Sequence, residues 1–156
     1  MRHLGGDTER PADLFAGILS LARAAGSLRY LDVTWNGELS PDVRRAITPA
    51  RARLANAVLG IPAKVRTGPS DYHSTEQGET DGPPELVSLR IVAAQHAPVV
   101  AGEYDDKFLL AQARGTWQAM EDAGRRIVFL TLPDTSPESL AALSAFFDRT
   151  AELLVR

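Results

Sequence analysis

Residues 68–77 carry more groups able to do chemistry than any other stretch of the sequence. They read Gly-Pro-Ser-Asp-Tyr-His-Ser-Thr-Glu-Gln and bring together an imidazole, four hydroxyls, two carboxylates and an amide. Such groups hydrogen-bond in the way that a polyol or a phosphate requires. His73 is a candidate general acid or base because a free imidazole titrates near neutral pH. The alternative is a solvated loop without a function. The candidate binding groups around His73 are Tyr72, Ser74, Thr75 and Gln77.

A basic stretch precedes this segment and an acidic one overlaps it. Residues 41–66 hold six basic side chains against one carboxylate, and residues 70–85 hold five carboxylates and no base. Arginines spaced along a helix usually form a solvated face. The alternative is a pocket for an anion, in which Arg66, near the end of a predicted strand, is the residue best placed to hold a phosphate.

Other common site chemistries lack their residues. The absence of cysteine excludes disulfide scaffolds, thiolate zinc sites and thiol nucleophiles. The three histidines, His3, His73 and His96, lie far apart without the spacing of metal ligands. The sequence contains no Gly-x-Ser-x-Gly elbow, no Gly-x-Gly-x-x-Gly turn and no Walker loop. We therefore predict neither a metal nor another cofactor.

Helices that alternate with strands must position the candidate groups. Apolar periodicity and capping residues predict helices over residues 11–25, 41–59, 105–123 and from 137 onward, the second of them broken near Pro49. β-branched and aromatic runs predict strands over residues 28–35, 63–67, 86–93 and 126–132, the last two apolar on both faces. This alternation predicts an α/β fold of three layers, with a mainly parallel sheet flanked by helices. Residues 68–84 are a long loop that leaves the carboxyl end of a strand, where ligands bind in such sheets.

Length and composition indicate a single folded domain. The chain has 156 residues and a net charge of −3. We expect residues 1–10 to form a flexible tail and residues 11–156 to form one domain, since a chain of this size buries roughly two thirds of its unfolded surface. The negative net charge argues against nucleic-acid binding, and no apolar run has the length of a membrane span or a signal peptide. We therefore expect a cytoplasmic protein.

Two blocks of the sequence resemble the C-terminal, sugar-isomerase (SIS) part of phosphoglucose isomerase, in the form found fused behind transaldolase. In that family a helix and a short strand lead into Gly-Pro-x-x-Leu-His-Ser-Thr-Gly-Gln-Leu-His-Lys-Gly-Gly-Pro. Residues 68–83 read Gly-Pro-Ser-Asp-Tyr-His-Ser-Thr-Glu-Gln-Gly-Glu-Thr-Asp-Gly-Pro in the same register. Residues 111–120, Ala-Gln-Ala-Arg-Gly-Thr-Trp-Gln-Ala-Met, match a second family block, and residues 124–128 match the Gly-Arg-x-Val strand after it. The resemblance covers most of the chain from about residue 27 onward.

The resemblance implies an SIS-like fold that binds a phosphorylated sugar in carbohydrate metabolism, as glucose-6-phosphate isomerase does. It places His73 where the family has its ring-opening histidine, with Ser74, Thr75 and Gln77 lining the same pocket. The loop departs from the family pattern by becoming acidic, since Glu76 and Glu79 replace a glycine and a histidine and Thr80 and Asp81 replace a lysine and a glycine. The family's Gly-Lys-Glu-Gly-Lys segment, which supplies the base, and its Ser-Gly-Thr phosphate loop have no counterpart here.

Aldose–ketose isomerisation needs a base as well as a ring-opening group, so half of the family's machinery is missing. One expectation is an isomerase-like domain that a partner completes, either a transaldolase-like or isomerase-lobe protein or a second copy. A second is an enzyme repurposed for a related carbohydrate intermediate, with Glu76, Glu79 or Glu103 as the base. The alternative is a non-catalytic sugar-phosphate sensor or assembly subunit. Because a lobe cut from a larger enzyme exposes apolar surface, we expect a homo- or hetero-oligomer, with a dimer as the simplest case.

Overall fold

A computed structural model of the chain describes residues 2–3, 9–68, 77–95 and 105–155. Its strands are β1 (Arg2–His3), β2 (Tyr30–Asn36), β3 (Ala63–Gly68), β4 (Leu86–Ala93) and β5 (Arg126–Leu132). Its α-helices are α1 (Glu9–Ala24), α2 (Pro41–Pro49), α3 (Gln77–Asp81), α4 (Asp106–Asp122) and α5 (Pro137–Val155), and a π-helix, Ala50–Leu59, continues from α2.

The strands form one parallel sheet in the order β1-β5-β4-β2-β3. Parallel neighbours need a crossover, and the helices provide these crossovers on both sides of the sheet. The helices α1, α2, α5 and the π-helix pack on one face, and α4 packs against β5, β4 and β2 on the other. The three-layer, parallel α/β fold expected from the sequence is therefore confirmed.

Local sequence signals set the helix ends. The hydroxyl of Ser40 accepts a hydrogen bond from the backbone N–H of Val43 at the start of α2, and Asp105 caps α4 in the same way through Phe108. Gly60 ends the π-helix with a φ of 67°, a left-handed conformation that glycine adopts without strain. The caps at Ser40 and Gly60 lie where the sequence signals predict them.

The predicted break near Pro49 takes an unusual form. The chain does not leave the helix at this residue but continues in wider π-helical turns over Ala50–Leu59. Proline lacks the N–H that would bond to the preceding turn, so the hydrogen-bonding pattern changes there. Leu54, Ala55 and Leu59 stay buried against the core in this arrangement.

Two stretches differ from the expected tail and loop. Arg2–His3 pairs with Leu130 and Thr131 as an edge strand, and α1 already begins at Glu9, so these parts of residues 1–10 are ordered structure. Within the predicted loop, residues 77–81 form the short helix α3. Local sequence signals do not predict this helix, because contacts with distant residues stabilise it. These contacts are described with the site below.

Candidate functional site

The two faces of the sheet differ in chemistry. One face presents apolar side chains of β2, β4 and β5 to helices α1, α2 and α5, with Trp35 fully buried among them. The opposite face is also buried but largely polar, and it lies beneath α3 and α4. Its buried polar residues are Asp32, Thr34 and Asn36 of β2, Arg66 of β3, Ser88 and Arg90 of β4, and Thr131 of β5. The expectation of apolar residues on both faces of β4 holds for Leu86 and Val92, but Ser88 and Arg90 make its second face mixed.

An arginine held by two carboxylates forms the centre of this polar face. Arg66 donates from Nη2 to Oδ2 of Asp32 at 3.0 Å and from Nε to the hydroxyl of Thr34 at 2.9 Å. The same Nη2 also contacts Oε2 of Glu79 on α3. The side chains of all three ionised residues are at most 4% exposed. We refer to Asp32, Thr34, Arg66 and Glu79 as the carboxylate–arginine cluster.

The cluster leaves hydrogen-bonding capacity unused. Within the described part of the chain, Oδ1 of Asp32, Nη1 of Arg66 and Oε1 of Glu79 are buried and have no hydrogen-bond partner. The hydroxyl of Ser88 is also buried without a hydrogen-bond partner, and Ser88 stands opposite Asp32 in the register of β4 and β2. Buried polar atoms without partners cost stability, so the polar face is not the most stable arrangement that this part of the sheet could adopt.

The cluster is also adapted to hold a proton. Burial, together with the nearby Asp32, raises the pKa of Glu79 to about 7, although Arg66 opposes the shift. Burial likewise raises the pKa of Asp32 above its ordinary value. Two carboxylates beside one guanidinium carry an excess negative charge, which one proton neutralises. A carboxyl group that titrates near neutral pH is able to give and take a proton in catalysis.

A second hydrogen-bonded group lies where the order of the strands reverses. Asn36 ends β2, which has β3 on one side and β4 on the other, and ligands bind outside this kind of switch point in parallel sheets. The amide of Asn36 donates to Oε1 of Gln112 on α4 at 2.7 Å, and its oxygen accepts from Nη1 of Arg90 at 3.1 Å. Gly68, opposite Asn36, must lack a side chain, because a Cβ there would lie 2.9 Å from the amide nitrogen of Asn36.

Helix α3 is fixed at the end of the predicted loop by two tertiary contacts, and a hydrogen bond within its own last turn closes it. Besides the Glu79–Arg66 pair, the guanidinium of Arg125 donates to the carbonyl of Thr80, from Nε at 2.8 Å. Gly78 accepts, through its carbonyl, a hydrogen bond from the N–H of Gly82 at 2.9 Å. Residues 69–76 are thus bounded by the carboxyl end of β3 on one side and by a docked helix on the other.

Most of the predicted site residues lie outside the described part of the chain. These are the predicted catalytic residues His73 and Glu76 and the predicted binding residues Tyr72, Ser74 and Thr75. Gln77 is exposed and is the first residue of α3. Arg66 is close to this segment, but its guanidinium is engaged with Asp32 and Glu79 rather than open to a phosphate.

Sequence reasoning missed the polar residues of β2 and their partners. Asp32, Thr34 and Asn36 alternate with apolar residues, a period-two signal of a strand with one polar face. This pattern predicts the strand but not the partners of its polar side chains. Gln112 lies in the second block of the family resemblance, but its contact with Asn36 depends on tertiary structure.

Comparison with known proteins supports the fold but gives no information on the chemistry. The sequence matches no known family model and no curated protein. It is similar in structure to a hypothetical protein, TT0462, from Thermus thermophilus, with a TM-score of 0.69 and 20% sequence identity. The match covers 94% of this chain and 43% of the Thermus chain, so this chain spans less than half of that protein. At this identity the likeness shows the α/β fold alone.

Two further properties concern the described residues only. They contain no group of three or more histidine, aspartate and glutamate side chains placed to hold a metal ion. No helix among them is long and apolar enough to cross a membrane.

Proposed function

We propose that this chain is a sugar-phosphate isomerase-like domain that another polypeptide or a second copy completes. The observation that carries the proposal is that β3, the strand before His73 in the sequence, ends beside the switch point, and that α3, the next described element, docks against Arg66 of this strand. Ligands of parallel sheets bind at this edge. In the proposal His73 assists ring opening, and Tyr72, Ser74, Thr75 and Gln77 bind the sugar phosphate.

The carboxylate–arginine cluster supports proton-transfer chemistry beside this segment. Isomerisation of an aldose to a ketose moves a proton between adjacent carbons, so a base is needed, and a base whose pKa lies near the working pH is the most efficient. Glu79, with a pKa of about 7, has this property, and it is three residues beyond Glu76, the base proposed within the segment itself. Comparing Glu79→Gln with Glu76→Gln in turnover assays distinguishes the two.

Exposed apolar side chains support association with a partner. Leu21 on α1 and Val155 on α5 are 74% and 72% exposed, and Leu14 lies on the same face of α1 as Leu21. The similarity to part of a much longer Thermus chain is in keeping with a lobe that works within a larger assembly. The proposed partners are a transaldolase-like or isomerase-lobe protein or a second copy, in the cytoplasm. Sedimentation of the native chain and of Leu21→Glu tests this, since loss of a dimer in the variant is expected.

A binding role without turnover is the second candidate function. It is favoured by the engagement of Glu79, a candidate base, whose carboxylate is buried and paired with Arg66. In this case the domain senses a sugar phosphate or helps to assemble a complex. Binding of a sugar phosphate without turnover, alone or with a partner, would support it over the isomerase-like activity.

The experiment is a thermal-shift screen against hexose, pentose and heptose phosphates and inorganic phosphate. A ligand at about 100 times its dissociation constant adds roughly 2.7 kcal/mol of stability. We expect a shift selective for one sugar phosphate, lost in His73→Ala and kept in His3→Ala, because His3 lies on β1 at the opposite edge of the sheet from β3. Equal shifts in both variants would contradict the assignment of His73. Turnover assays on the selected sugar phosphate then compare the same two variants.

A further inference from the structure

The six basic residues of the stretch 41–66 fall into two classes. Three of them form ion pairs, and the other three, Arg44, Arg51 and Lys64, are exposed and have no ion pair in the described part of the chain. Unpaired positive charge therefore remains at only half of these positions. The paired residues are Arg45 with Asp42, Arg53 with Asp148 and Glu152, and Arg66 with Asp32 and Glu79.

The unpaired cations lie along one edge of the sheet. Lys64 is on β3, the last strand in the sheet order. Arg44 and Arg51 line a groove of about 320 Å³ beside this strand, where α2 and the π-helix pass over Val65. The groove has an apolar part and a polar part. Its other lining residues are Leu39, Ile47, Thr48, Ala52 and Asn56.

The backbone of β3 is open along the same edge. The carbonyls of Pro62 and Gly68 accept hydrogen bonds from the N–H groups of Leu31 and Gly37, so even-numbered residues of this strand point their backbone groups towards β2. Alternate residues of a parallel strand use opposite sides. Val65, like Ala63, therefore directs its N–H and its carbonyl to the free edge. Within the described residues, no strand pairs with this side.

We propose that the open edge of β3 and the adjoining groove bind an extended, acidic segment of a partner protein as an added strand. Main-chain bonds to Val65 would provide affinity, and carboxylates facing Arg44 and Arg51 would provide selectivity. Lys64 on the edge disfavours any added strand that does not neutralise it. Pairing of two copies through β3 would bring the same cations together, so a second copy is a poor occupant of this edge.

The test uses a fluorescein-labelled octapeptide of alternating glutamate and valine, with a lysine–valine peptide for comparison. We expect the acidic peptide alone to bind and to slow hydrogen exchange at the Val65 amide of the native chain. The double variant Arg44→Glu/Arg51→Glu should weaken binding roughly tenfold or more, since two favourable charge pairs become repulsive. Arg23→Glu/Arg45→Glu, with the same change in net charge outside the groove, should bind as the native chain does.

A further variant separates main-chain pairing from charge. Val65→Pro removes the outward N–H and keeps the groove's arginines, and proline is accepted on edge strands where the N–H faces outward. We expect this variant to lose the peptide while its circular dichroism stays native. If it fails to fold, the exchange of the Val65 amide in the native chain decides the question by itself.

Several results would overturn the proposal. Equal weakening by both double variants would show attraction to net charge alone, and binding without protection of the Val65 amide would exclude strand addition. Displacement of the peptide by inorganic phosphate, again without protection, would identify an anion site instead. Protection of Val65 that grows with protein concentration in the absence of peptide would assign the edge to a second copy. None of these measurements involves His73 or a sugar phosphate, so they stand apart from the outcome of the proposed function.

Discussion

Neighbouring residues of β2 face opposite sides of the sheet and meet opposite surroundings. Trp35 is fully buried and packs into the apolar core that the helices α1, α2 and α5 cover. Thr34 is only 1% exposed, but it lies between Arg66 and Asp32. Burial alone therefore does not distinguish the two faces. The faces differ in whether their buried polar atoms have hydrogen-bond partners. Among the described residues of the sheet, only the polar face has buried side-chain atoms without such partners.

This contrast identifies the polar face as the one whose packing is not optimised for stability. Replacing a buried ion pair with well-packed apolar residues is often neutral or stabilising, so a cluster of this kind is not the most stable solution for a sheet face. Proteins depart from consistent local design mainly at functional sites. The polar face, and not the apolar one, is the part of the fold to probe for function.

The largest expected effect is on the apolar face. Trp35→Ala removes the largest fully buried side chain and should destabilise the protein by about 4 to 5 kcal/mol, near the upper end of such truncations. The matched change on the other face is Thr34→Val, which keeps the shape and removes one hydroxyl, with an expected cost of about 1 to 2 kcal/mol. Denaturant unfolding of both variants measures the difference. Similar losses would contradict the contrast between the faces.

The second prediction concerns the charge balance of the cluster. Arg66→Met leaves Asp32 and Glu79 buried without the guanidinium that pairs with both and should cost about 4 kcal/mol. Combining it with Asp32→Leu and Glu79→Leu removes all three charges together and should recover most of that loss. Urea unfolding of both variants provides the test. A triple variant as unstable as Arg66→Met would mean that the cluster contributes to stability in its own right.

The third prediction is a pH dependence. Glu79 has its pKa raised to about 7 in the folded protein from 4.5, so the folded state binds the proton more tightly than the unfolded state does. The free energy of unfolding should therefore fall as pH rises from about 4.5 to 7, by on the order of 3 kcal/mol, and then level off. The groups facing this carboxyl group are Asp32, Arg66, Lys64 and Tyr30.

Glu79→Gln should remove most of this dependence and be at least as stable as the native chain at pH 8. Glu138→Gln, an exposed position at the start of α5, is the control and should leave the dependence unchanged. Unfolding measured at several pH values in both variants decides the matter. A slope that persists in Glu79→Gln would assign the proton to another group, such as Asp32.

The fourth prediction concerns the switch point. Gly68→Ala places a Cβ within 2.9 Å of the Asn36 amide nitrogen, and displacing that amide from Gln112 and Arg90 should cost about 2 kcal/mol. In an Asn36→Ala background the same change should cost less, because the clash is gone. A double-mutant cycle by thermal unfolding measures this coupling. Additive effects would show that the two residues do not constrain each other.

Local sequence signals predict the layers of this fold better than they predict the candidate site. Helix stripes, caps such as Ser40 and the strand signals are local, and the architecture follows from their alternation. The docking of α3 depends on Arg66 and on Arg125, which is over forty residues away, so no local signal predicts it. The edge strand formed by Arg2–His3 similarly depends on a partner at the other end of the chain.

Only the part of the candidate site that contains a sequence motif could be predicted. The segment around His73 stands out by composition and by resemblance, and its role stays a prediction. The carboxylate–arginine cluster has no motif, since Asp32, Arg66 and Glu79 come from three separate elements. The position of Arg66 near a strand end predicts a role in binding phosphate. It does not reveal the two carboxylates that the fold brings to its guanidinium.

The all-parallel sheet has a consequence for how the molecule folds. Each strand pairing described joins residues at least about thirty positions apart, so no hairpin can form early and folding belongs to the slow, long-range class. The carboxylate–arginine cluster draws all its members from residues 32 to 79, whereas the apolar core needs α5. During synthesis all members of the carboxylate–arginine cluster are therefore present before α5 exists to bury the other face.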